Sequence, residues 1–213
     1  TASTAIIALG KIGTTQAREA IAALRKDART EQAVALADAT LTVAGQLAAA
    51  GNIKAAAALA EEMLAPSQPV QIRRGALDAL LRLDQDGGEQ RIIAVLRGSD
   101  SVLKPVAIAA IPSVKSTRAS AKFAAEISKL NPDEQALMLE ALASIGDAPA
   151  HTAIRAQLAA GNATVRLAAI KAMGKMGDAS DVPALATMLS GAKTPGEQSA
   201  LVESLTGLRG GER

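Results

Sequence analysis

The chain has 213 residues; Lys and Arg number 23, Asp and Glu 21, and fifty of its apolar residues are alanine. One Phe, no Trp or Tyr, no Cys and one His exclude thiolate metal sites, disulfides, Cys nucleophiles, any site that needs two histidines, and aromatic stacking on bases. A net charge of +2 falls short of the clustered excess that strong non-specific nucleic-acid binding requires, and no run of about 18 apolar residues offers a membrane span.

Alanine is the best helix former and is poor in strands, so this composition predicts an all-helical chain. Apolar residues recur at three-and-four spacing, the pattern of amphipathic helices. In chain order the spacing predicts helices over 4–12 and 15–26, then 30–50 and 53–64, then 70–84 and 88–97. It continues with 103–112 and 116–130, 132–145 and 148–160, 163–176 and 179–190, and a last helix over 196–208. Pro105 fits only in a first turn, so its helix starts near Lys104. Pro132, Pro149 and Pro183 also fall near helix starts, where proline is tolerated.

The same helix ending recurs along the chain. With Leu9 as anchor, equivalent positions are Leu47, Leu80, Ile111, Leu142, Met173 and Leu205, at spacings of 38, 33, 31, 31, 31 and 32. Each period holds two helical halves. Gly13-Thr14, Gly51-Asn52, Gly146-Asp147 and Gly177-Asp178 stand at the joint between halves. Glycine ends one helix in the left-handed conformation, and Thr, Asn or Asp caps the next. A two-helix unit cannot bury its apolar faces alone, whereas stacked units can. The expected fold is therefore all-α: an α-solenoid of stacked antiparallel helix pairs with about thirteen helices. It is expected as one repeat domain over 1–213, with units 1–28, 29–67, 68–99, 100–130, 131–161 and 162–192 and a partial unit 193–213.

The pattern Ala-x-x-x-Ala-[Leu/Met]-Gly-Lys-[Ile/Met]-Gly-[Asp/Thr], with Val165-Arg166 ahead of it in the sixth unit, resembles HEAT repeats, most of all the short bacterial type called PBS-lyase HEAT-like. The first and sixth units match best. The fourth departs, with Ile111-Pro112-Ser113 in place of the Leu-Gly pair. The order of units is also similar to HEAT segments inside large exported bacterial proteins. The resemblance implies a superhelix whose second helices line the concave side. It also implies a place as an accessory part of a larger, periplasmic or secreted protein. A start at Thr1, within a helical pattern, fits a processed chain or a piece of a longer one.

Candidate sites are few. His151 lies just inside a helix start, and no Ser/His/Asp or His/Glu grouping accompanies it in the sequence, so a partly exposed surface position outweighs a ligand or base role. Gly10-Lys11-Ile12-Gly13 and Gly174-Lys175-Met176-Gly177 mimic phosphate loops, but they recur at the repeat period and read as helix ends. Arg73, Arg74 and Arg166 open first helices. By the family pattern they pair with an acid in the preceding unit, for which Asp147 and Asp178 are candidates. Met173, Met176 and Met188 fall on or beside core positions. The fourth unit gathers Lys104, Lys115, Arg118, Lys122 and Lys129, with Glu126 the only acid nearby. Lys115, Arg118, Lys122 and Lys129 form a candidate partner-binding patch for an acidic protein or a neighbouring domain. The competing reading is an ordinary solvated helix face.

The leading functional expectation is a non-enzymatic protein-interaction or scaffold module. It has no catalytic residues, no cofactor and no metal site. It would serve a protein partner or flanking domains of the same polypeptide, and no nucleic acid, membrane insertion or small-molecule substrate is expected. The alternatives are a HEAT-like enzyme or enzyme accessory, such as a bilin lyase or a DNA-binding glycosylase, and a passive structural spacer. The lack of aromatics counts against both enzymes.

Overall fold

A computed structural model describes residues 1–26, 30–83, 87–114 and 119–208. The chain divides into two compact units, Thr1–Gly88 with Asp100–Val106, and Glu89–Ser99 with Ala107–Arg213. The described residues form thirteen α-helices and no strand.

The first unit holds α1 (Ala2–Ile12), α2 (Thr15–Lys26), α3 (Thr30–Ala49), α4 (Ile53–Met63) and α5 (Val70–Leu83). Consecutive helices pack on one another, and alternate helices α1, α3 and α5 also run side by side. One apolar cluster joins Ile6, Ile21, Leu36 and Val43, with Leu9, Leu47 and Leu59 against it. A second joins Ala37, Met63, Ile72 and Ala76.

Next come α6 (Gly88–Arg97) and α7 (Lys104–Ala110). The predicted start at Lys104 places Pro105 in the first turn. The helix stops before Pro112, which lacks an N–H and crowds the preceding turn, so Ile111–Ser113 tightens into a 3-10 turn. The helix expected over 116–130 is interrupted. Residues 116–118 lie outside the described ones; α8 is only Ala119–Ala124, followed by a 3-10 turn over Ile127–Lys129. Pro132 disfavours the helical conformation at Asn131, so the chain leaves helix before it. The rest of the second unit is α9 (Pro132–Ile145), α10 (Ala148–Gln157), α11 (Ala163–Met176), a 3-10 turn Ala179–Asp181, α12 (Val182–Gly191) and α13 (Pro195–Gly207).

Three of the four glycine joints behave as predicted. Gly13, Gly51 and Gly146 have φ of 64°, 81° and 72°, and Thr14, Asn52 and Asp147 accept the backbone N–H of Ala17, Ala55 and Ala150. Gly177 does not. Its φ is −68° and its ψ 165°, an extended exit open to any residue. Space is what requires glycine there: a Cβ would lie 2.6 Å from the Met173 carbonyl oxygen and 2.9 Å from Asp181 Oδ2.

Small residues set the spacing within each unit. A Cβ on Gly10 of α1 would lie 3.0 Å from Ala39 Cα of α3. A Cβ on Gly174 of α11 would lie 2.7 Å from Ser204 Cα of α13. First helices α1 and α3, α9 and α11, and α11 and α13 pack closely, while α2 and α4 hardly meet, nor do α10 and α12, although α8 and α10 do.

Candidate functional site

On the open face of the layer of first helices in the second unit, α9 and α11 leave a groove of about 500 Å³. Its apolar floor is Ala136, Leu137, Ala168 and Ala172, its α9 wall carries Asp133 and Glu140, and its α11 wall carries Lys171 and Lys175. The helical period places these groups together. Asp133, Leu137 and Glu140 share one face of α9, and Ala168, Lys171 and Lys175 share one face of α11. The Lys175 ammonium donates to Glu140 Oε1 at 2.9 Å across the groove. Asp133 and Lys171 take part in no ion pair among the described residues. Leu137 is 41% exposed, a large apolar side chain left in solvent between opposite charges. Such a groove can seat one apolar side chain of a partner helix and orient that helix by its charges.

Of the predicted basic patch, Lys115 and Arg118 lie outside the described residues. Lys122 and Lys129 are each matched by an acid. Lys122 donates to Glu89 of α6, and Lys129 Nζ donates to Glu126 Oε2 at 2.9 Å. Glu126 is only 2% exposed and accepts two further bonds from Arg97, from Nε at 3.0 Å and Nη2 at 2.7 Å. The hydrogen bond from Arg97, then that from Lys129, holds the Glu126 carboxyl below the ordinary glutamate range, against the opposing effect of burial. The sign follows: its contribution to stability is complete above the ordinary glutamate pKa of ~4.3 and is lost as pH falls through the lower folded value. Acidification from pH 7 to 3.5 should therefore lower the urea midpoint of the native chain by more than that of Glu126→Gln. Equal losses would assign the acid sensitivity to other carboxylates.

The Lys122–Glu89 and Arg97–Glu126 pairs belong to a ladder of polar contacts that reach one repeat along the chain. Arg73 bonds Asp100 and the Leu64 carbonyl in the first unit. In the second, Ser120 Oγ donates to Asp147 at 2.5 Å, and Arg166 bonds Glu197 Oε1 at 2.7 Å and the Ala160 carbonyl at 2.8 Å. Arg73 and Arg166 thus pair forward, with an acid at the start of the following repeat, rather than backward as expected. Arg74 reaches the Val102 carbonyl at 3.3 Å. Asp147 keeps its cap and serves as an acceptor. Asp178 caps the turn at Ser180, whose side-chain and backbone bonds hold its carboxyl below the usual range, with smaller contributions from the His151 and Arg155 charges.

His151 is a rung of the same ladder. Its Nε2 lies 2.8 Å from Oδ2 of Asp181, which is fully buried, and Arg155 Nη1 stands 3.7 Å from the other oxygen. The ring is one quarter exposed. The sequence hid the partner because it lies thirty residues away, inside a turn read as plain helix. Among the described residues no group of three His, Asp or Glu could hold a metal ion, and no helix is long and apolar enough to cross a membrane. Met173 is fully buried, as its core reading requires.

Within each unit, helix pairs stacked in chain order and bonded rung by rung to their neighbours place the chain among the helical-repeat proteins. Residues 120–206 match the family model of HEAT repeats. This segment, which holds the groove and the Ser120, His151 and Arg166 rungs, is similar to HEAT-repeat arrays, which are generally protein-interaction scaffolds and typically non-catalytic. No curated protein matches the chain.

Proposed function

We propose that the chain is a non-catalytic protein-interaction module that receives a protein partner, or a neighbouring domain of its own polypeptide, on its layer of first helices. The observation that carries this reading is the groove between α9 and α11. There an exposed Leu137 lies between an acidic and a basic wall, and Asp133 and Lys171 retain uncommitted charges.

The test is site-specific photocrosslinking in extract of the source cells, with p-benzoylphenylalanine at position 137 or at the exposed outer position 156. A discrete adduct from position 137 alone, lost in Lys171→Glu, is the expected result. Surface substitutions of this kind should leave stability within about 0.5 kcal/mol, so loss of the adduct reports recognition and not unfolding. Equal labelling from both positions, or none from position 137, would return the chain to the spacer class.

A further inference from the structure

The first unit contains a separate cavity. It lies between α2 and α4, which hardly touch, and it is floored by α3. Its volume is about 270 Å³, just below the ~300 Å³ at which common small-molecule sites begin. Ile21, Val43, Leu47 and Leu59 make the walls apolar, and the Thr40 hydroxyl adds no donor because it donates to the Leu36 carbonyl of its own helix at 2.7 Å. Arg18, Ala22 and Arg25 border it from one face of α2. Arg25 is committed to Glu62 of α4, an ion pair that joins the two helices beside the cavity. Among the described residues Arg18 is not committed. Its Nε is buried and its N–H has no acceptor. A buried donor without an acceptor costs ~1–3 kcal/mol, and here it belongs to a permanent cation beside an apolar cavity. Glu19 is the one acidic residue of the lining and sits exposed on the rim.

We propose that this cavity binds a short aliphatic monocarboxylate, of about six to eight carbons, with its chain among Ile21, Val43, Leu47 and Leu59 and its carboxylate on the Arg18 guanidinium. Both features of the site are then used. The apolar walls take the hydrocarbon, and the unmet N–H gains a charge-assisted acceptor in the fork geometry that arginine offers. Length is set by the small volume, so longer chains fit poorly.

Titration of the full chain with sodium octanoate, followed by carbon-resolved methyl NMR, tests this directly. Saturable shifts should be confined to the methyls of Ile21, Val43, Leu47 and Leu59. Arg18→Gln should weaken octanoate about tenfold or more while leaving 1-octanol unchanged. Ala22→Met, at an exposed helical position that tolerates the larger side chain, should block both probes by filling the cavity mouth. Circular dichroism of each variant verifies that the helices persist. Octanoate and octanol binding with equal affinity in the native chain, an Arg18→Gln variant that binds octanoate as tightly, or shifts spread over all methyls would each overturn the proposal.

Discussion

Gly174→Val is expected to destabilise the second unit by about 3 kcal/mol, and to do so by prising α13 from α11. A Cβ at this position would lie 2.7 Å from Ser204 Cα and 2.8 Å from Ser204 Oγ. The obstacle is partly backbone, so no rotamer change relieves it, and overpacking of this kind costs ~1–3 kcal/mol even where side chains can shift. The Ser204 hydroxyl, which donates to the Ile170 carbonyl at 2.8 Å, loses its alignment as well. Gly174→Ala separates two effects of opposite sign. Helix propensity alone favours Ala over Gly by ~1 kcal/mol. The steric term predicts a net loss. Gly45 supplies the control: it lies inside α3, where an added Cβ would meet nothing within 4 Å, so Gly45→Ala should stabilise by about 0.5–1 kcal/mol. Urea unfolding of the three variants, together with amide exchange across α13, measures both. A Gly174→Ala variant as stable as the native chain would show that the first-helix layer has slack to give.

The second large effect belongs to Phe123. It is fully buried and is the only aromatic in the chain. Its helix, α8, has six residues, far below the length at which a helix persists by itself. The segment therefore depends on its buried anchors Ala119, Phe123 and Ile127. Phe123→Ala should cost about 3–5 kcal/mol, and Phe123→Leu, which keeps most of the volume, less than half as much. Because Lys122 and Glu126 flank it, loss of Phe123 should also loosen the Lys122–Glu89 and Arg97–Glu126 bonds. Exchange of the amides in α6, which carries Glu89 and Arg97, should rise together with that in α8. Protection unchanged in α6 would uncouple the two elements.

The architecture was legible because its determinants are local. Caps such as Asn52 and Asp147, stops such as Gly13 and Gly146, and three-and-four apolar spacing act within one or two turns, and the helix bounds follow from them. Gly177 was misread because two different needs select the same residue: positive φ at three joints, and room for Asp181 and Met173 at the fourth. The family pattern pointed the arginines to an acid in the preceding unit. The choice of Asp100 and Glu197 over a preceding acid is made by the register between neighbouring helices, which no single helix encodes. The same holds for His151, whose partner Asp181 becomes visible only when two repeats are stacked. The close approach of the first helices could have been inferred: Gly10 and Gly174 both sit in first helices, and small residues mark the side where backbones approach closely. The groove residues carry no motif. Asp133, Leu137 and Lys171 resemble any solvated helix face until α9 and α11 are side by side.

The rungs of the ladder also govern how the chain is made. The bonds from Arg73 to Asp100, Ser120 to Asp147 and Arg25 to Glu62 close loops of 27, 27 and 37 residues in a chain of 213. Loop closure costs entropy before any contact rewards it, and folding slows as contacts become more distant in sequence. Here each pair of helices meets its partners soon after it leaves the ribosome. Assembly can therefore proceed from the amino terminus onward, each finished repeat serving as the template for the next, without waiting for the end of the chain.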